Sequence, residues 1–412
     1  MGRKVVIVGA GQVSATLVAK LRTDGYDGGI TVLGDENTLP YQRPPLSKAY
    51  LLGKQTMAQL HLRPAAFYSQ AQIDLRLGRR AIAIEAGVRV VRLQGDEVIP
   101  YDHLVLATGS AARSWPAALG GTLEGVRTLR TFSDADSLSL ALRSAGSVLV
   151  IGGGYVGLEL ASAARSLGLA VTVVEAQKRI LNRVAGEDTA RYFRTLHVAH
   201  GTRIVEGMGI RRLLGSGRVE GAELENGEVI TCDLVIAGIG AIPETALALA
   251  AGLEVDDGVV TDEFCRTSDP VIWAAGDCAR VRTSAGSIRL ESVGNAIDQA
   301  ETVAANIMGG ERAYRPRPWF WTEQHGVRMQ IAGLSAGHDE TVLRRTSDGS
   351  RSSCWYFRKD NLIAVDAIND AQAFLAGRRL IDGDMHVDRA AIGDPAFDLR
   401  NLAKAALPEI SS

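Results

Sequence analysis

Short, uninterrupted apolar runs that end on glycine recur along this chain. Val5–Val8 leads into Gly9-Ala10-Gly11-Gln12-Val13-Ser14, and Val148–Ile151 leads into Gly152-Gly153-Gly154-Tyr155-Val156-Gly157. A short apolar run bounded by turn residues reads as a strand covered on both faces, as in parallel sheets. Apolar positions at helical spacing follow each turn, over Ser14–Leu21 and over Leu158–Leu167, the second closed by Gly168. Second strands are predicted at Ile30–Leu33 and at Ala170–Val174. Strand, glycine turn, helix and strand, twice over, predict α/β layers with parallel sheets.

Between and beyond these units the pattern changes. Ala81–Leu93 reads as antiparallel strand material, and Leu104–Ser110, Leu234–Gly240 and Val271–Cys278 read as buried strands that end in small-residue turns. Past Pro316 and Pro318, apolar and polar residues alternate over Arg328–Leu334, Thr341–Arg345, Ser353–Arg358 and Leu362–Ala367, with a helical tail from Asp370. That is a separate α+β domain. The expected fold is therefore α/β, two Rossmann-like dinucleotide-binding domains plus a C-terminal α+β domain.

A length of 412 residues exceeds one ordinary core and predicts two or three domains. A net charge of −2 makes no electrostatic case for nucleic acid or an anionic membrane. No apolar run approaches the ~20 residues that span a bilayer. Arg3-Lys4 before Val5 imitates the start of a signal peptide, but the apolar stretch is too short and meets Gly9 at once, so a cytoplasmic protein is expected. Cys232, Cys265, Cys278 and Cys354 form no Cys-x-x-Cys pair and no zinc spacing, so reduced packing thiols are expected and no metal site. His197 and His200 have no partner ligand nearby in sequence and read as part of a surface helix.

The glycine turns carry the chemistry. Glycines let the backbone approach a pyrophosphate, and the helix N-terminus stabilises its charge. Two such turns imply two dinucleotides, and the economical reason to hold two is electron transfer between them. The first turn departs from the pattern, with Ser14 at the third glycine position. An acid for a ribose hydroxyl follows each turn: Asp35 or Glu36, about 25 residues on, in the first unit, and Glu175 in the second. Glu175 favours NADH, since a carboxylate repels the extra phosphate of NADPH, although Lys178 and Arg179 follow closely.

In order along the chain stand Leu39-Pro40-Tyr41-Gln42-Arg43-Pro44-Pro45-Leu46-Ser47-Lys48, Ala107-Thr108-Gly109, Gly154-Tyr155-Val156-Gly157-Leu158-Glu159, Ala275-Gly276-Asp277 and Pro318-Trp319-Phe320-Trp321-Thr322-Glu323-Gln324. Together they closely resemble the FAD-dependent, NADH-oxidising ferredoxin reductases of bacterial oxygenase systems, the putidaredoxin-reductase-like group. The resemblance covers essentially the whole chain. Its Arg-Pro-Pro-Leu-Ser-Lys and Trp-Phe-Trp segments are specific to this branch of the disulfide-reductase-like superfamily.

The resemblance implies a glutathione-reductase-like arrangement: an FAD-binding domain from residues 1–113 and 241–316, an NAD-binding domain over 114–240, and a C-terminal α+β interface domain over 317–412. It implies FAD near Gly9, Gly11, Ser14, Asp35, Arg43, Lys48, Thr108, Gly109 and Asp277, with Asp277 on the ribityl chain. It implies NADH on Gly152, Gly154, Tyr155, Val156, Gly157 and Glu175. Trp321, with Trp319, lines the flavin, lines the partner surface or simply packs. Lys48 and Glu159 are expected to pair beside the flavin, where a lysine in a dry site needs a counter-charge and a cation favours added negative charge on the ring.

The activity so implied passes electrons from NADH through FAD to a [2Fe–2S] ferredoxin that serves a monooxygenase or a ring-hydroxylating dioxygenase. A rubredoxin, a quinone or oxygen is the alternative acceptor, and a flavoprotein of the apoptosis-inducing-factor type is a further alternative. Redox-thiol mechanisms are disfavoured because Gln42, Arg43 and Pro44 occupy the region where related enzymes carry cysteine. Gly294 and Glu244 depart from the family pattern, which has glutamine and asparagine there. Arg312, Arg315, Arg317, Arg344, Arg345 and Arg351 either form a basic face for an acidic partner or are scattered on the surface. A monomer or weak dimer is expected.

Overall fold

The computed structural model describes residues 3–284 and 286–404. The chain divides into two compact units: Met1–Arg43, Gln55–Ala111 and Ala241–Pro316 form one, and Pro44–Lys54, Ala112–Gly240 and Arg317–Ser412 the other. The short segment Pro44–Lys54 therefore leaves the first unit and is tied into the second. There the Tyr50 hydroxyl donates to Asp136 and the Ser139 hydroxyl to the Leu51 carbonyl.

In the first unit a parallel sheet runs in the order Ile272–Ala274, His103–Leu106, Val5–Val8, Ile30–Leu33, Ile73–Arg76. Val5–Val8 is central, and its two faces have different partners. Val5 and Ile7 pack with Leu17, Val18 and Leu21 of the helix Gln12–Thr23 and with Val303 of the helix Val293–Ile307. Val6 and Val8 pack with Val91 and Leu93 of a small antiparallel sheet built from Ala81–Glu85, Val90–Leu93 and Val98–Pro100. Cover on both sides is why this strand is apolar at every position. The helix begins at Gln12, earlier than the apolar spacing indicates, because Gly11 already serves as its N-cap.

The second unit repeats the plan. Its parallel sheet runs Arg203–Glu206, Ala170–Glu175, Ser147–Ile151, Leu234–Ala237, Val126–Arg127. Val148 and Val150 face the helix Tyr155–Ser166, while Leu149 and Ile151 face Leu213, Ala222 and Leu224 of a second small antiparallel sheet. The region after Arg317 forms an antiparallel sheet in the order Trp319–Gln324, Val327–Gly333, Asn361–Ile368, Ser352–Arg358, Glu340–Arg345, with the helix Ala371–Asp382 packed on it. The strand Trp319–Gln324 has no counterpart in the sequence reading, since Trp-Phe-Trp lacks the alternation that marked its neighbours. Met329, Ile331 and Ile368 of this sheet share one core with Leu158 and Leu160 of the helix Tyr155–Ser166.

Arg344 does not contribute to a basic face. It is buried, and its guanidinium donates to the carbonyls of Ile392, Asp394, Pro395 and Phe397 where the chain turns. Among the described residues no helix is long and apolar enough to cross a membrane.

Candidate functional site

Each parallel sheet offers a glycine turn at the end of its central strand. Gly9 has φ +116°, and a Cβ there would lie 2.1 Å from the Ala107 carbonyl oxygen. Gly152 has φ +102°, and its Cβ would lie 2.4 Å from the Gly238 carbonyl oxygen. Only glycine fits either place. By contrast, a Cβ on Gly11 or Gly154 would meet nothing within 4 Å, so the outer side of each turn is open.

The helices that follow these turns differ from the other long helices. Gln12–Thr23 and Tyr155–Ser166 have no side-chain N-cap and no acid in the first turn. Thr131, Ser292 and Asp370 cap the helices Phe132–Ser144, Val293–Ile307 and Ala371–Asp382. Glu187 and Asp188 occupy the first turn of Glu187–Ala199. Uncapped N–H groups beside an open glycine turn are a cradle for an external anion, so the residues present fit the pyrophosphate of a dinucleotide at both turns.

Around the first turn the structure places several of the residues expected at a flavin. Thr108 Oγ1 donates to the Glu244 carbonyl at 2.6 Å, and Ser110 Oγ donates to Asp277 Oδ2 at 3.1 Å. Gly109 and Gly276 take positive φ, +70° and +83°. Cys278 is buried and turns its thiol toward the Leu106 and Ala275 carbonyls; burial holds that thiol above its ordinary pKa, which suits packing rather than reactivity. Asp35 is exposed, whereas the Glu36 carboxylate accepts from Arg43 and from the Tyr41 hydroxyl, each at 2.8 Å. Tyr41 was not among the sequence candidates; its signal was its place two residues before Arg43, whose guanidinium donates to the Tyr41 hydroxyl.

At the second turn Glu175 closes the strand Ala170–Glu175, and its carboxylate accepts from the backbone N–H groups of Gly153 and Gln177, both at 2.7 Å. Arg179 points its guanidinium at the carbonyls of Ile180 and Ala185. Lys178 and Val156 are exposed. Tyr155 packs on Phe320 with ring centroids 4.8 Å apart.

Also in the second unit, Lys48 and Glu159 meet. Lys48 Nζ lies 2.6 Å from Glu159 Oε2, with the two side chains 19% and 3% exposed. Ser47 donates to the same oxygen, and Thr322 Oγ1 donates to Glu159 Oε1 at 2.6 Å. A carboxylate buried this far requires such partners; removing one charge from a buried pair costs ~3–5 kcal/mol. Sequence reasoning missed Ser47 and Thr322 as holders of Glu159, because a hydroxyl's partner is set by tertiary placement. Trp321 is half-buried and stacks on Trp319 at 5.6 Å. His197 corrects the surface-helix expectation: it is fully buried, because the helix Glu187–Ala199 turns that face to the interior, while His200 just past its end is exposed. Among the described residues no three His, Cys, Asp or Glu side chains converge as metal ligands.

Two anion cradles of this kind and no paired cysteine define a two-dinucleotide oxidoreductase. The sequence profile of the pyridine nucleotide-disulphide oxidoreductase family matches residues 3–300, and that of the reductase C-terminal family matches 319–403. The chain belongs to the pyridine nucleotide-disulphide oxidoreductase family, and its cofactors are FAD and NAD(P)H. Rhodocoxin reductase of Rhodococcus erythropolis is 41% identical, over 96% of this chain and 93% of that protein. The ferredoxin reductase for the CYP199A2 system of Rhodopseudomonas palustris has a similar structure, with TM-score 0.94, 38% identity, and coverage of 98% of this chain and 100% of that one. The reductase in the covalent putidaredoxin reductase–putidaredoxin complex gives TM-score 0.93 and 36% identity, over 98% of this chain and 99% of that one.

Proposed function

We propose that this protein draws electrons from NADH and hands them, by way of FAD, to a [2Fe–2S] ferredoxin that serves an oxygenase. One observation carries the reading: two uncapped glycine-turn helices occur in a chain whose four cysteines are all single and buried, so electrons have dinucleotides to travel through and no thiol relay. When bound, FAD supplies the conversion between a two-electron hydride donor and a one-electron acceptor. The named partners of the relatives, rhodocoxin and putidaredoxin, support an acceptor of the ferredoxin class.

The side chains have distinct tasks in this reading. Gly9 and Gly11 admit one pyrophosphate, and Gly152 and Gly154 the other. In the first unit Glu36, clamped by Arg43 and Tyr41, offers a carboxylate to the FAD ribose beside Asp35. Glu175 still has lone pairs for ribose hydroxyls after its two backbone contacts. Arg179 is committed to backbone carbonyls and is not held ready for the phosphate of NADPH; that favours NADH. Lys48, held by Glu159, is a fixed positive charge, and we assign it to offset negative charge arriving on the flavin.

Anaerobic stopped-flow reduction tests this reading. NADH bleaches the flavin absorbance, NADPH does so at least about tenfold more slowly, and added [2Fe–2S] ferredoxin then takes up the electrons. Lys48→Met slows bleaching at least about tenfold with FAD content unchanged. The double variant Lys48→Met/Glu159→Gln, which strands no charge, separates this effect from loss of folding. An unchanged rate removes the role of Lys48, and preferred reduction of rubredoxin over ferredoxin replaces the partner.

A further inference from the structure

The contacts of Glu159 continue well past Lys48. Thr322 and Gln324 are two apart on the strand Trp319–Gln324, so their side chains share a face. Gln324 Nε2 donates to Thr322 Oγ1 at 3.1 Å, and Gln324 Oε1 lies 2.8 Å from His197 Nε2. His197 Nδ1 lies 3.2 Å from His325 Nε2, and the His325 ring stacks on His200 at 4.0 Å. The His325 backbone N–H donates to Ser162 Oγ, on the same helix as Glu159. Thr322, Gln324 and His197 are each no more than 1% exposed.

The direction of every bond follows from the first. Glu159 faces Lys48 as a carboxylate and accepts from Thr322, whose single proton is thereby used. Thr322 then accepts from the Gln324 amide, and the Gln324 carbonyl is left for His197. A carbonyl only accepts, so His197 donates from Nε2, and its bare Nδ1 accepts from His325 Nε2–H. Four donors in series thus point at one carboxylate. An amide sits in the middle and does not readily pass a proton, so the chain orients rather than conducts.

We propose that His197 and Gln324 are positioning residues for the Lys48–Glu159 pair: they fix the Thr322 hydroxyl as a donor to Glu159, and so hold the carboxylate aimed at Lys48. The proposal rests on the role of Lys48 given above. The other titratable groups around the chain are Tyr155, which faces Glu159, and His200 and Arg165, which face the histidines. Burial, with His197, His200 and Arg165 beside it, pushes His325 down to about 4. Burial also lowers His197, against the hydrogen bond to Gln324, so both rings stay neutral near pH 7 and the polarity persists.

The test pairs a structural and a kinetic readout on the FAD-loaded protein. By ¹⁵N-histidine NMR, His197 is expected as the Nε2–H tautomer from about pH 6 to 8, and Gln324→Leu weakens that preference, with only the His325 contact left to hold it. In stopped flow, Gln324→Leu and His197→Leu slow flavin reduction by NADH about tenfold and move the acid limb of the pH profile upward. His197→Gln, which keeps an N–H donor, restores most of the rate. If Gln324→Leu does not fold, Thr322→Val against Thr322→Ser decides, with loss expected only for valine. A wild-type His197 that is not the Nε2–H tautomer overturns the proposal, as does a folded Gln324→Leu or Thr322→Val with unchanged rate and pH profile. A wild-type flavin that NADH does not reduce overturns the proposed function instead.

Discussion

The two glycine turns share a central strand, an uncapped helix and a first glycine at positive φ, yet the same register puts different residues around them. Val8 pairs with Leu33 and Leu106, and Ile151 pairs with Val174 and Ala237, so the next positions correspond: Gly34 to Glu175 and Ala107 to Gly238. Third in each helix, Ser14 corresponds to Gly157. In the second turn a Cβ on Gly157 would lie 2.1 Å from the Gly152 carbonyl oxygen, and one on Gly238 would lie 3.3 Å from Gly157 Cα. The first turn carries side chains at both places. The third glycine therefore serves the approach of helix to strands rather than the phosphate, and it is replaceable where the facing position changes too.

The largest expected effect tests whether each turn serves its own dinucleotide. Gly9→Ala and Gly152→Ala both force alanine into positive φ against a carbonyl. Gly9→Ala is expected to purify without yellow colour. Gly152→Ala is expected to keep FAD and lose NADH affinity by about a hundredfold or more, some 3 kcal/mol or above. Flavin absorbance and stopped-flow reduction across NADH concentrations read both. If both variants lose the same cofactor, the assignment of one turn to each dinucleotide fails.

Gly157→Ser places in the second turn what the first turn tolerates. Its Cβ meets the Gly152 carbonyl with no compensating change at Gly238, so the helix must move from the strands. NADH affinity is expected to fall about tenfold with FAD content intact, as one misplaced anion contact of about 1.4 kcal/mol would give. Adding Gly238→Ala tests whether the two positions act together: relief by the second change supports the pairing, and a purely additive loss breaks it.

Much of this was legible before any fold was in view. Val5–Val8 and Ile30–Leu33 keep their expected bounds because buried parallel strands are apolar throughout and glycine ends them. The apolar spacing starts both helices late, since glycine caps leave no polar cap residue to mark Gln12 or Tyr155. The distal acids of the two units stand at different places in the register. Gly34 stands where Glu175 does, and a Cβ there would lie 2.7 Å from Ala10 Cβ, so the first turn excludes an acid at that position. Its carboxylate comes from further along the loop, and which one is clamped depends on Arg43 and Tyr41. Likewise no spacing rule joins Glu159 to Lys48, Ser47 and Thr322, which come from three separate stretches of chain. Their meeting follows from packing of the segment Pro44–Lys54 and the strand Trp319–Gln324 against one helix.

Ser14→Gly carries the smallest expected effect and the sharpest bearing on the comparison. Ser14 is buried, and its hydroxyl turns back to donate to the Gly11 carbonyl at 2.9 Å, so it brings its own hydrogen-bond partner and leaves no group unsatisfied. Glycine in its place loses that bond and some helix propensity, together about 0.5–1 kcal/mol. Ala107 remains, so the strand side does not close up and the helix has no new position to occupy. The melting temperature is expected to fall by about 1 °C, with FAD affinity changed less than about twofold, near 0.4 kcal/mol. Thermal unfolding followed by flavin fluorescence, and FAD titration of apoprotein, measure the two. A tenfold gain in FAD affinity would mean that Ser14 holds the helix away from the pyrophosphate and that the first turn is a weakened copy of the second; no gain means that it is an equally good cradle built on different packing.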